Sequence, residues 1–114
     1  MNNENNTAAV YETTLAQLGG MRPLVLMLGA HGFAHGDNGH TLTFRIKVRG
    51  AKANHVRITL AGDDTYTVKA VRIHGMKITE VATHEGVYAE ELVDVCEKST
   101  GLAWRLPRVI GINA

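Results

Sequence analysis

The sequence predicts an α+β fold: an antiparallel meander of about five strands, with a C-terminal helix and a short N-terminal helix packed on one face. Three observations carry this. Three successive segments between Thr41 and His74 alternate apolar and polar residues at the two-residue period of a strand. Turn-forming residues separate them. A later segment, Tyr88 to Lys98, changes to a helical stripe.

Residues 1–12 begin with an Asn-rich stretch lacking apolar periodicity, which reads as a flexible tail ahead of a single domain spanning 13–114. Thr13 or Thr14 can cap a short helix that docks Leu15 and Leu18 and ends at Gly19. Pro23 to Leu28 is a continuous apolar run between glycines, and reads as a strand buried on both faces or a short core segment. Asn38-Gly39 suits a turn with positive φ at its central residues, so a hairpin should join the 24–34 region to 41–49.

In the first alternating segment, Leu42, Phe44, Ile46 and Val48 share one face, and Thr43, Arg45, Lys47 and Arg49 the other. His55 to Leu60 repeats the pattern, with Val56, Ile58 and Leu60 inward and His55, Arg57 and Thr59 outward. The next segment begins in phase with Tyr66, Val68 and Ala70, but Val71 and Ile73 fall on the opposite parity, which implies a bulge near Ala70 or burial on both faces. Gly50 to Asn54 forms a loop and Gly62-Asp63-Asp64 a turn. Lys77 to Thr83, of mixed parity, fits an edge strand. Tyr88, Leu92, Val95 and Cys96 form the apolar stripe of the C-terminal helix, and Gly101 its stop. Trp104 and Leu106 should close the core, while Val109, Ile110 and Ile112 suit an edge strand or a homodimer contact through residues 108–112.

One domain is the default for 114 residues. The single Cys96 excludes an intrachain disulfide, and the absence of a signal-like start points to the cytoplasm. No apolar run approaches the roughly 20 residues of a membrane-spanning helix, so no membrane partner is expected. Net charge is only +1, yet residues 1–40 carry −2, residues 41–77 carry +6 and residues 78–114 carry −3. Positive charge is therefore concentrated on the sheet.

Thr14-Leu-Ala-Gln-Leu-Gly-Gly20, Val56-Arg-Ile-Thr-Leu60, Asp64-Thr-Tyr-Thr-Val68, Gly86-Val-Tyr-Ala-Glu90 and Thr100-Gly-Leu102 occur in this order along the chain. From about residue 14 to 102, the chain resembles a family of small proteins encoded by bacteriophages and mobile elements, with no assigned activity. The resemblance implies a genomic setting and the cytoplasm of a bacterial host. It carries over no catalytic residues.

Arg45, Lys47, Arg49, Arg57, Lys69 and Arg72 form the candidate binding surface, because cations spaced along strands can follow phosphates. The alternative is that they merely solvate an open sheet. No outward aromatic is evident for stacking bases. His31, His35 and His40, with Asp37, are a weak candidate metal cluster in a Gly-rich loop, where no helix would stack the rings on one side. The same glycines lack the Gly-Lys-Ser/Thr of a phosphate loop. Ser99 is the only serine, and Cys96 lies on the apolar stripe of an acidic helix. The expectation is a non-enzymatic accessory protein without a cofactor that binds nucleic acid. Two alternatives are an anti-CRISPR-like protein inhibitor of a host defence or other host complex, with a host nucleic-acid-binding protein as its partner, and a metal-dependent enzyme using the His31/His35/His40 loop.

Overall fold

The alternation over residues 41–60 forms the centre of a five-stranded antiparallel meander. The structure, a computed structural model, describes residues 12–104. Its strands, in both chain and spatial order, are β1 (His31–Gly36), β2 (Thr41–Arg45), β3 (His55–Leu60), β4 (Tyr66–His74) and β5 (Lys77–Val87). Helical residues 12–17 (α1), α2 (Met21–Leu28) and α3 (Leu92–Thr100) accompany the sheet, with a 3-10 turn at Ala89–Glu91 leading into α3. Residues 1–11 of the expected tail and the apolar segment after Trp104, including the proposed contact through 108–112, lie outside the described residues, whereas Glu12, expected in the tail, is helical.

One apolar cluster joins Leu42 and Phe44 of β2, Val56 and Ile58 of β3, and Tyr66 and Val68 of β4 to the helices through Leu18, Leu24, Leu28, Leu92 and Cys96. The helices therefore cover one face of the sheet and leave the other open. Trp104 closes the core: it is fully buried, meets Phe44 edge-on at 5.8 Å, and donates from Nε1 to Thr100 Oγ1 at 2.8 Å. That hydrogen bond removes the cost of burying an indole N–H without a partner. Among the described residues, no buried side-chain nitrogen or oxygen lacks a partner.

Several local expectations need correction. Pro23–Leu28 is helical and not a strand: α2 buries Leu24 and Leu28, four apart on one face, and exposes Val25 and Leu26. Continuous apolar sequence cannot distinguish these states by periodicity. Gly29 stops α2 in the left-handed region, and Lys47 N–H donates to Leu28 O at 2.9 Å, tying the helix end to the chain beyond β2. Thr13 and Thr14 lie inside α1 instead of capping it. The first hairpin exists, with its outer strand starting only at His31, and Asn38 and Gly39 both hold the expected positive φ, in a turn that also takes Asp37 into that region. Tyr88 is exposed and does not continue the buried stripe of α3.

The phase change expected near Ala70 does not occur in β4. Ala70 pairs with Ala82 and Val71 with Glu80, so Val81 is the extra residue and the bulge belongs to β5. β4 itself keeps alternating. Val71 and Ile73 consequently reach the open face, and Arg72 returns to the helix-covered face. There its guanidinium donates to the carbonyls of Ala51 and Lys52. β5 also runs further than expected, through Gly86 at φ 68° to Val87, before the 3-10 turn begins.

Candidate nucleic-acid interface

Strand pairing arranges the open face in rows. Thr43, Arg57, Lys69 and Thr83 form one row across β2 to β5, and Arg45, His55, Val71 and Glu80 form the next, with His31 of β1 opposite Arg45. Thr59 and Thr67 make a third, beside a buried Thr41. Neighbouring strands are about 5 Å apart, so each row holds side chains within reach of one extended anionic ligand.

Arg45, Arg57 and Lys69 are exposed on this face. Lys69 Nζ lies 3.6 Å from a Glu80 carboxylate oxygen, an exposed pair that leaves its charge only partly compensated. Among the described residues, no ion pair engages Arg45 or Arg57. Lys47 and Arg49 are also exposed but lie past the end of β2, in the connection to β3, where the ladder does not align them with the rows. Arg72 is the one candidate placed on the other face, where it braces the 49–54 loop.

At the β1 end of the row containing Arg45 and His55, His31, Arg45, Ile46, Asn54, His55 and Ile73 line a depression of about 270 Å³. Asn54 fixes its rim through paired bonds with Ile73, Nδ2 donating to the Ile73 carbonyl at 2.9 Å and Oδ1 accepting from the Ile73 N–H at 2.8 Å. Burial holds the half-buried His55 below the ordinary histidine pKa, and the Arg45 and Arg57 charges lower it further. A second depression, of about 370 Å³, is bordered by Asp37, Arg57, Thr59, Thr67 and Lys69. Asp37 is engaged there as an acceptor from Thr41 Oγ1 at 2.8 Å, and the Thr59 hydroxyl lies 3.1 Å from that of Thr41.

The sequence had placed His55 outward without assigning it to the site. Its place opposite Arg45 depends on how the 46–54 connection returns the chain, which alternation alone does not specify.

The histidine loop does not converge. No group of three or more His, Cys, Asp or Glu side chains that could hold a metal ion occurs among the described residues. His31 Nδ1 donates to Gly29 O at 2.9 Å and His40 Nδ1 to Asp37 O at 2.9 Å, so each ring is tied to nearby backbone. Cys96 is buried in the core, and its thiol pKa is pushed up by burial and by the Glu97 charge, which leaves it in the protonated, unreactive form.

No protein-family model, curated protein or solved structure matches the chain. The resemblance to phage-encoded proteins therefore rests on the quoted motifs alone. No helix among the described residues is long and apolar enough to cross a membrane.

Proposed function

We propose that the chain is a nucleic-acid-binding accessory protein, of phage or mobile-element origin, whose open sheet face contacts the phosphate backbone. The observation that carries this is that Arg45, Arg57 and Lys69 stand on adjacent strands of one uncovered face, Arg57 and Lys69 in one row with Thr43, and Arg45 in the next, with Thr59 and Thr67 in the row on the other side. Cations supply the salt-dependent attraction and hydroxyls add neutral donors. Phe44 and Tyr66 are turned into the core, so base stacking has no platform among these strands and recognition is of backbone rather than sequence.

A protein target is the competing proposal, favoured by the exposed apolar side chains of the β4–β5 hairpin. Ile73 and Ile78 face each other across the ladder beside the fully exposed Met76. Such a tip fits a host nucleic-acid-binding protein as the partner of an inhibitor. A pull-down from bacterial lysate, with and without nuclease, separates the two. Nucleic-acid binding predicts that the captured material disappears after nuclease treatment, whereas a protein retained at equal yield supports the inhibitor.

A further inference from the structure

The depression beside Arg45 and His55 has a chemistry of its own. His31, Arg45 and His55 occupy consecutive strands in one register row, and Ile73 with Asn54 closes the side away from Arg57. The cavity thus joins one permanent cation to two imidazoles against an apolar wall. We propose that it is a phosphodiester subsite in which the bound anion is held by Arg45 and by a protonated His55, so that binding takes up a proton. This rests on the reading of the open face as a phosphate-binding surface and names how one part of it is regulated.

His55 is well placed for this role because its charged form is disfavoured while the site is empty. Burial and the flanking Arg45 and Arg57 disfavour its charged form, and an anion seated among them offsets the same repulsion. A neutral imidazole offers one donor and a protonated one offers two, which adds a charge-assisted bond to the ligand. The groups around His55 are Arg45 on β2, Arg57 on its own strand, His31 beyond Arg45, and Lys69 with its partner Glu80 diagonally across β4 and β5. Glu80 is the only carboxylate in the two rows containing these groups, and it is engaged with Lys69, so it does not supply the counter-charge that would keep His55 protonated in the empty site. His31 contributes differently, since its Nδ1–H is committed to Gly29 O.

The dinucleotide thymidylyl-thymidine, whose single phosphodiester does not titrate near neutrality, is the probe. Its affinity for the full chain, followed by NMR at constant ionic strength, should fall about tenfold between mildly acidic and mildly alkaline pH, as one proton taken up on binding allows. The His55 ring titration should move to higher pH when dinucleotide is added. His55→Gln should reduce the pH dependence to less than about twofold, while Arg22→Ala, an exposed residue of α2 outside this face, should retain it. An unmoved His55 titration at saturating dinucleotide, or a full pH dependence in His55→Gln, overturns the proposal. A fluorescent fifteen-residue oligothymidylate is measured in parallel. If it binds while the dinucleotide leaves His55 unmoved, the subsite is rejected and the broader phosphate-binding face stands; if neither ligand binds, both fall.

Discussion

Arg57 on β3 and Lys69 on β4 stand directly opposite each other on the open face. Like charges so placed oppose sheet formation by a few tenths of a kcal/mol to about 1 kcal/mol. The core beneath them offsets that cost, and a polyanion laid over the face would relieve it. Arg57→Thr should therefore raise the denaturant midpoint slightly while weakening nucleic-acid binding. Equilibrium urea unfolding and oligonucleotide titration of the same variant check the two halves, and a loss of both stability and binding would mean that Arg57 is a structural residue.

The core makes a sharper demand. Phe44 is fully buried and lies 5.2 Å from the Phe33 ring and 5.8 Å from Trp104. Phe44→Ala should cost about 3–5 kcal/mol and Ile58→Ala about 2–5 kcal/mol, whereas Thr43→Ala on the open face should change stability little. Urea midpoints ranked in the reverse order would contradict the observed register.

Gly29 is a backbone test. It holds φ 60°, and a Cβ there would stand 3.0 Å from the Lys47 carbonyl oxygen. Gly29→Ala should lose on the order of 1–3 kcal/mol by combining left-handed strain with this close approach. Thermal unfolding reads the effect, and a neutral substitution would show that the junction between α2 and the chain after β2 can shift freely.

Acid should act through His55. Its folded-state pKa is depressed, mainly by burial and then by Arg45 and Arg57, so the unfolded chain binds the proton more readily. Its contribution to stability is present above the ordinary histidine pKa and is lost as pH falls from there towards the folded value. In the absence of ligand, His55→Gln should remove that part of the pH dependence. Unfolding midpoints across mildly acidic pH test it, and an unchanged profile would assign the effect to other groups.

Much of this arrangement was legible from alternation. Leu42, Phe44, Val56 and Ile58 turn inward as their parity requires, and Arg45, Arg57 and Lys69 turn outward. Arg72 was not legible, because the apolar Val71 and Ile73 imply a phase change after Ala70, whereas β4 keeps its alternation and the extra residue, Val81, lies on β5. β1 was hidden for another reason: His31-Gly-Phe-Ala-His-Gly36 has little strand propensity, and its conformation comes from pairing with β2 and from the stacking of Phe33 on Phe44. In α2, Val25 and Leu26 are apolar yet exposed, which masks the helical stripe of Leu24 and Leu28.

The most direct test of the phosphate-binding face is the salt dependence of binding for the wild type and the double variant Arg45→Ala, Arg57→Ala, measured by fluorescence anisotropy on two unrelated oligonucleotides. The account predicts that the variant binds both sequences more weakly, by similar factors, and that its log affinity against log salt flattens by about 1.4 for single strands or 1.8 for duplex, as the loss of two phosphate contacts requires. Undiminished binding by the variant with the wild-type salt slope would contradict it.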